Sequence, residues 1–187
     1  MNAFEDIVKL YLEAEGYWVR QSVKIDISKQ DKREIGLYSM PRPEIDLVAL
    51  NVKKNELLLI EVKSYLDSYG VYYEAISDDE PKDDRTKKDA KRYRLFTDNK
   101  FREVVTRALR EEYLKQGLIR KNTKINYALA SGNIRSPGDK SKISNYFLQK
   151  GWTLFSPEQI KDRIRKLSDK GWEDNIVTIT AKLIMKN

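Results

Sequence analysis

The 187-residue chain contains no histidine and no cysteine. These absences exclude a Ser-His-Asp triad, a thiol nucleophile, a thiolate zinc site and a disulfide, because each needs one of the two residue types. Any metal ion bound here must therefore have oxygen ligands, which Mg²⁺, Mn²⁺ and Ca²⁺ accept. Long apolar runs are also absent, since the longest aliphatic stretch is residues 57–60, far too short to cross a bilayer. The N-terminal segment is acidic and amphipathic, unlike a signal peptide, so we expect a cytoplasmic protein.

Positive charge is in excess and is unevenly distributed. The net charge is +7, and residues 118–187 contain 14 Lys and Arg against 6 Asp and Glu. This asymmetry favours a surface that faces a polyanion such as nucleic acid, although a basic surface can also serve solubility alone. The candidate phosphate contacts in the basic segment are Arg135, Lys140, Lys142, Lys161, Arg163, Arg165 and Lys166. An ordinary solvated helix face is the alternative for each of them.

Apolar periodicity divides the first half of the chain into short elements. It predicts a helix that begins after Asn2 and ends at Gly16, then a strand over residues 17–27. Residues 28–34 are expected to form a polar turn and residues 34–40 a returning strand. The charge-dense residues 77–92 are expected to form a loop.

The second half predicts alternating helices and strands. Asp98 should cap a helix over residues 100–116, and a buried strand should follow at 124–131. Residues 133–142 are expected to be a basic loop before a short helix and a strand at 152–155. Ser156 should cap a further helix, and Asp174 a last one whose inner face holds Ile176, Ile179 and Leu183. This order predicts a single α/β domain over residues 1–187, with helices packed on a central mixed sheet.

The most informative segment is residues 44–64, in which two apolar runs flank a polar turn. This pattern predicts a β-hairpin. If Leu50 faces Leu57, then Asp46 faces Glu61, and side-chain alternation places Lys63 on the face of Glu61. A shift of one residue would separate the three groups, so the prediction depends on this register.

Two neighbouring carboxylates repel each other, and a divalent cation removes that repulsion while acting as a Lewis acid. A nearby lysine can orient an attacking water or neutralise developing negative charge. Asp46, Glu61 and Lys63 thus meet the chemical needs of phosphodiester hydrolysis. The alternative is a structural ion pair on a solvated face of the sheet.

The segments Pro43-Glu44-Ile45-Asp46 and Glu61-Val62-Lys63 resemble the motif of the PD-(D/E)xK nuclease superfamily. That superfamily includes type II restriction enzymes, archaeal Holliday junction resolvases and Mrr-like nucleases. The resemblance implies a restriction-endonuclease-like αβββαβ core over residues 1 to about 160, with a C-terminal helical extension at 157–187. Glu44 stands where the family has Asp, and it is either a bystander or an accessory ligand.

The resemblance also implies roles for individual residues. Asp46, Glu61 and the backbone carbonyl of Val62 would bind Mg²⁺ or Mn²⁺, and Lys63 would position the nucleophilic water. Glu5, on the first helix, would be a further ligand, unless it only completes a capping box with Asn2. Arg20, on the first predicted strand, and Arg42, beside the strand that carries Asp46, are expected to lie near this site and are further candidates for phosphate contact.

The implied function is a Mg²⁺-dependent endonuclease that hydrolyses DNA, of a restriction or junction-resolving type. Such enzymes often act as homodimers. A catalytically silent DNA-binding or scaffold module of the same fold is one alternative, and an unrelated α/β interaction protein is another. Retention of the Asp, the Glu and the Lys argues against the silent module.

Overall fold

The sheet and helices were defined in a computed structural model that describes residues 3–39, 41–79, 83–169, 171 and 174–185. The strands are β1 Trp18–Lys24, β2 Glu44–Asn51, β3 Glu56–Lys63, β4 Lys124–Ser131 and β5 Thr153–Phe155. The helices of the first half are α1 Ala3–Ala14, α2 Lys29–Glu34, α3 Tyr73–Ile76, α4 Asp84–Ala90 and α5 Arg94–Thr97. Those of the second half are α6 Asn99–Lys115, α7 Pro137–Lys150, α8 Pro157–Leu167 and α9 Ile176–Met185. None of the helices in these ranges is long and apolar enough to span a membrane.

The five strands form one mixed sheet in the order β1-β2-β3-β4-β5. Strands β1, β2 and β3 are antiparallel neighbours, whereas β4 runs parallel to both β3 and β5. A parallel pair needs a crossover connection. Helices α3 to α6 lie in the connection from β3 to β4, and α7 lies in that from β4 to β5. The prediction of an α/β chain with a mixed sheet flanked by helices is confirmed.

Each face of the sheet is covered by helices because successive strand residues point to opposite sides. On one face, Leu59 and Leu129 pack in a cluster with Leu109 of α6 and Phe147 of α7. On the other face, the cluster contains Ile60 and Ala128 with Val8 of α1 and Ile160 of α8. The central strand β3 is therefore buried on both sides, in keeping with its nearly continuous apolar sequence.

Side-chain caps and glycines set several of the helix boundaries. The Asp98 carboxylate accepts a hydrogen bond from the Phe101 N–H at 3.0 Å, and α6 begins after it. Ser156 and Gln159 form a capping box at the start of α8. Gly16 follows α1 with φ of +82°, a left-handed conformation that favours glycine. The predicted starts of α6 and α8 and the predicted end of α1 are confirmed, whereas Asn2 lies outside the described residues.

Two predictions for residues 28–40 are wrong. Residues 29–34 form α2 instead of a turn, because Ser28 and Asp31 complete a capping box. Ile35 caps the end of that helix, and residues 36–39 form turns instead of a strand. Met40 is outside the described residues.

Two predicted loops are largely helical. Within residues 77–92, Asp83 accepts a hydrogen bond from the Thr86 N–H and begins α4. A 3-10 turn, Lys91–Tyr93, follows α4, while residues 80–82 are outside the described part of the chain. Within the predicted basic loop 133–142, Ser136 caps α7 and Pro137 occupies its first turn.

The prediction for the last helix is wrong in its cap and its inner face. The side chain of Asn175 accepts from the Val177 N–H at 2.9 Å, in the place expected for Asp174. Thr178 and Ala181 are the buried residues of α9. The residues predicted to face inward, Ile176, Ile179 and Leu183, are exposed.

Candidate active site

The β2–β3 hairpin has the predicted register, and its ladder stops beside the motif. Leu50 pairs with Leu57, and the last recorded pair is Leu47 with Ile60. Asp46 and Glu61 are the next positions, beyond the last pair. On the other side of β2, Ser22 of β1 is the residue opposite Asp46, but the two do not pair. Ser22 has a φ of +49°, outside the range of a regular strand. The ordinary ladder is thus interrupted on both sides of Asp46.

The Asp46 side chain replaces a backbone acceptor at this point. Its Oδ2 accepts a hydrogen bond of 2.7 Å from the backbone N–H of Val62. In an antiparallel ladder, the N–H and C=O of one residue lie on the same edge of the strand. The Val62 carbonyl is therefore on the β2 side of β3, together with the Asp46 carboxylate.

Lys63 connects the two acidic residues. Its ammonium forms an ion pair with Oε1 of Glu61 and lies 4.0 Å from Oδ2 of Asp46. The side chains are only 15%, 18% and 25% exposed for Glu61, Lys63 and Asp46, respectively. One ammonium and two carboxylates are thus held together in a partly buried site, so the predicted convergence of these three residues is confirmed.

Burial is the main cause of the raised carboxylate pKa values in this cluster. Burial, together with the carboxylate of Asp46, raises the pKa of Glu61 to about 7 despite the opposing effect of Lys63. Burial also raises the pKa of Asp46. Burial lowers the pKa of Lys63, but Glu61 and Asp46 raise it by more, so its pKa is raised overall. Lys63 therefore stays charged at neutral pH, and the pair of carboxylates favours binding a proton or another cation.

An open cavity of about 490 Å³ adjoins Asp46 and Lys63, whereas Glu61 is not among its lining residues. It is lined by Glu5, Asp46, Val62, Lys63, Ser64, Tyr65 and Arg92. Glu5, in the first turn of α1, is close enough to help raise the pKa of Glu61. The structure thus brings Glu5 to the cluster. Glu44 is exposed at the start of β2 and is not among the residues that line the cavity.

The donor atoms here suit a small hard cation. Asp46, Glu61 and the Val62 carbonyl offer only oxygen, which matches Mg²⁺ or Mn²⁺. Within the described ranges, no group of three or more acidic side chains is placed to hold a metal ion. Mg²⁺ is commonly bound by one or two carboxylates and keeps several waters. The residues present therefore fit Mg²⁺.

Three residues of the cavity wall, Ser64, Tyr65 and Arg92, were not among the predicted site residues. Tyr65 has φ of +45° and follows the motif by two positions. Arg92 lies in the 3-10 turn after α4, inside the segment predicted to be a loop. The sequence pattern did not indicate a helix in that segment, because the buried positions of α4, Thr86 and Asp89, are polar.

The basic residues predicted to contact phosphate lie outside the cavity wall. Arg20 lines a separate apolar groove, where its guanidinium lies 5.9 Å from the ring centroid of Tyr113. Arg42 forms an exposed ion pair of 3.0 Å with Asp26. Both are therefore engaged away from the carboxylates.

The candidates in the basic segment differ in their contacts. Arg135 binds Glu74 and Asp139, Lys140 binds Glu158, Arg163 binds Glu15, Arg165 binds Asp162, and the Lys142 ammonium lies 5.9 Å from the Tyr73 ring centroid. Lys161 and Lys166 are exposed on α8, and no ion pair involves either of them within the described residues. These two lysines are thus the most available for an external anion.

The chain matches no protein-family model, no curated protein and no solved structure.

Proposed function

We propose that the protein is a Mg²⁺-dependent endonuclease of the PD-(D/E)xK type that hydrolyses phosphodiester bonds in DNA. One observation carries the proposal: Lys63 lies between the carboxylates of Glu61 and Asp46 where the β2–β3 ladder ends. This is the combination of acidic ligands and a cation that the motif implies. The open cavity beside it provides access for a phosphate group.

The charge and the donor set of the cluster support a divalent cation. Two carboxylates share one ammonium, and burial is the main reason that the pKa values of both are raised. A Mg²⁺ ion held by Asp46, Glu61 and the Val62 carbonyl would supply Lewis acidity for phosphodiester hydrolysis. Glu5 lines the same cavity and would add a further negative charge near such an ion.

Lys63 acts as a charged hydrogen-bond donor in this proposal. In the metal-free protein, Glu61 and Asp46 raise the pKa of Lys63 despite its burial, so the side chain carries a positive charge at neutral pH. Its ammonium can orient a water molecule and stabilise the negative charge that develops on the phosphate oxygens. Asp46 is fixed by the Val62 N–H, so its carboxylate is oriented before the substrate binds.

The substrate assignment rests on charge outside the cluster. Residues 118–187 carry a large excess of Lys and Arg, and Lys161 and Lys166 are exposed on α8. Neutralisation of backbone phosphates by such residues drives nucleic-acid binding. Nothing in this charge pattern selects a DNA sequence, so both restriction-type and junction-resolving activities belong in the test.

A cleavage assay tests the proposal directly. Supercoiled, linear, single-stranded and four-way-junction DNA are incubated with the protein in Mg²⁺ or EDTA. We expect cleavage in Mg²⁺ only, reduced roughly a hundredfold or more by Asp46→Asn or Lys63→Ala. Glu13→Gln and Lys9→Ala are matched controls, because they alter a partly exposed acid–lysine pair on α1, 4.0 Å apart, and should retain full activity.

Other outcomes would contradict the proposal. Tight DNA binding without cleavage in Mg²⁺ or Mn²⁺ would identify a silent binding module. Cleavage that survives both Asp46→Asn and Lys63→Ala would place the active site elsewhere. Sedimentation with and without DNA would show whether the active species is the homodimer that this class of nuclease suggests.

A further inference from the structure

A second basic group faces the cavity from outside the motif. Arg92 lines the cavity together with Asp46 and Lys63, although it lies on the 3-10 turn that follows α4. The next residue, Tyr93, is buried, and its ring centroid lies 5.9 Å from the Lys63 ammonium. Packing of Tyr93 therefore fixes the backbone of Arg92 next to the motif lysine.

Asp89, in the last turn of α4, lies next to the Arg92 side chain. The Asp89 side chain is only 11% exposed, and its Oδ2 accepts hydrogen bonds from the hydroxyls of Tyr69 and Tyr72 at 2.8 and 2.9 Å. Its Oδ1 lies 3.8 Å from the Arg92 guanidinium. Burial raises the pKa of Asp89, but the two tyrosines and Arg92 lower it by more, so the carboxylate stays ionised. The Arg92 guanidinium is thus held near the cavity by an ion pair with a carboxylate that is itself fixed.

The ion pair with Asp89 leaves the Arg92 guanidinium available for another ligand. The Arg92 side chain is 55% exposed, and the ion pair with Asp89 is long. Tyr65 lines the same cavity and is close enough to raise the pKa of Arg92. A guanidinium has five N–H donors in a planar fork, and these contacts engage only part of that fork.

We propose that Arg92 is a phosphate-binding residue that contacts the nucleic-acid backbone in this cavity, with Asp89 as its positioning residue. The inference rests on the proposed function, because it assigns a role within the same site. The carboxylates of Asp46 and Glu61 repel an approaching phosphate, and the ammonium of Lys63 brings one positive charge against their two negative charges. Arg92 supplies a second positive charge in a geometry that suits two phosphate oxygens.

Binding and cleavage are measured separately to test this role. A labelled DNA duplex is titrated in EDTA at several salt concentrations, and cleavage kinetics are measured in Mg²⁺. We expect Arg92→Ala to weaken binding about tenfold, as for loss of one charged hydrogen bond, and to reduce the salt slope by about one. Arg92→Lys should keep the slope and recover only part of the affinity, because it loses the planar fork.

Two further variants test whether an effect on DNA binding comes from the Arg92 contact. One removes a different arginine, and the other changes the residue that positions Arg92. Arg85→Ala removes an exposed arginine of α4, whose guanidinium lies 4.8 Å from the Tyr69 ring centroid and which is not among the cavity-lining residues. It should leave binding and cleavage nearly unchanged. Asp89→Asn keeps an acceptor for the tyrosines but removes the charge beside Arg92, so KM should rise more than kcat falls.

The results distinguish this inference from the proposed function. If the wild type cleaves and Arg92→Ala binds and cleaves like Arg85→Ala, the role of Arg92 is overturned and the nuclease stands. If the wild type binds without cleaving and Arg92→Ala binds more weakly, the phosphate contact stands and the nuclease is overturned. If the wild type binds no DNA, both are overturned. Circular dichroism and thermal unfolding confirm that each variant is folded.

Discussion

The backbone N–H of Val62 donates a 2.7 Å hydrogen bond to Oδ2 of Asp46, across the point where the β2–β3 ladder ends. A carboxylate therefore occupies the position of a backbone carbonyl. The bond orients Asp46 toward β3, and Lys63 lies 4.0 Å from the same oxygen. The acidic group is consequently positioned by the sheet itself.

Two substitutions of Asp46 should distinguish the contribution of its hydrogen bond to stability from the contribution of its charge. Asp46→Asn keeps an acceptor for the Val62 N–H, whereas Asp46→Ala leaves that N–H without one. We expect the alanine variant to be less stable than the asparagine variant by about 1–3 kcal/mol, the cost of an unsatisfied polar group. Urea unfolding in EDTA measures the difference. The same pair of substitutions at the exposed Asp162 is the control, and there alanine should be no less stable than asparagine, because it is the better helix former.

The raised pKa of Glu61 predicts how stability depends on pH without metal. Between its ordinary value of 4.5 and its folded value of about 7, the native state binds more protons than the unfolded chain. The free energy of unfolding should therefore fall as pH rises through this window and level off above it. The raised pKa of Asp46 acts in the same direction. Urea unfolding in EDTA from pH 5 to 8 should show this decline for the wild type and a smaller one for Glu61→Gln.

Added Mg²⁺ should oppose this fall in the free energy of unfolding at high pH, because protons and the metal compete for the same carboxylate. We expect Mg²⁺ to stabilise the wild type more at pH 8 than at pH 5.5, and to have little effect on Glu61→Gln. Equal stabilisation of both proteins would show that Glu61 is not a ligand.

Gly132 directly follows β4, next to the end of β3, and we expect that a larger residue does not fit there without a shift of the neighbouring chain. Its N–H donates to the Lys63 carbonyl at 2.8 Å, and an added Cβ would lie 2.3 Å from the Ser64 carbonyl oxygen and 3.1 Å from the Phe4 ring. Gly132→Ala must therefore displace β3 or α1, at a cost of about 1–3 kcal/mol, and should reduce cleavage. Thermal and urea unfolding measure the first effect.

Gly138 provides the matched control for that substitution. It lies in the first turn of α7, and an added Cβ would come no closer than 3.7 Å to a neighbouring atom, the Ser136 hydroxyl oxygen. Gly138→Ala should be neutral or stabilising by up to about 1 kcal/mol, because alanine favours the helix. A similar loss of stability in both variants would contradict the packing argument.

The exposed lysines of α8 should contribute to DNA affinity without affecting folding. We expect Lys161→Ala combined with Lys166→Ala to weaken duplex binding and to lower the salt slope by about two, with the melting temperature unchanged. Fluorescence anisotropy at several salt concentrations measures the slope. Lys53→Ala combined with Lys54→Ala is the control, because these lysines lie in the turn at the other end of the β2–β3 hairpin from Asp46. Equal losses from both pairs would indicate nonspecific electrostatics.

The central hairpin could be predicted because its signals are local. Apolar runs on both sides of a short polar turn predicted the hairpin, and the assumed pairing of Leu50 with Leu57 is observed, which brings the motif residues together. Caps at Asp98 and Ser156 were equally readable, since a side chain and a backbone N–H three residues later are enough to begin a helix.

The elements that were missed depend on contacts that periodicity does not record. Helix α4 turns Thr86 and Asp89 inward, and Asp89 is satisfied by tyrosines that precede it by 17 and 20 positions. Helix α9 packs through Thr178 and Ala181 and leaves larger apolar residues exposed, which reverses the usual pattern. The place of Arg92 in the cavity follows from these tertiary contacts and could not be predicted from spacing.

The hairpin register also has a consequence for the order in which the site assembles during folding. Asp46, Glu61 and Lys63 come together through a turn of a few residues, which includes Asn55 in a left-handed conformation at φ of +50°. Such local closure takes microseconds, whereas the pairing of Lys63 with Ser131 joins distant parts of the chain and is intrinsically slower. We expect the acidic cluster to form early and the walls that carry Glu5 and Arg92 to close around it later.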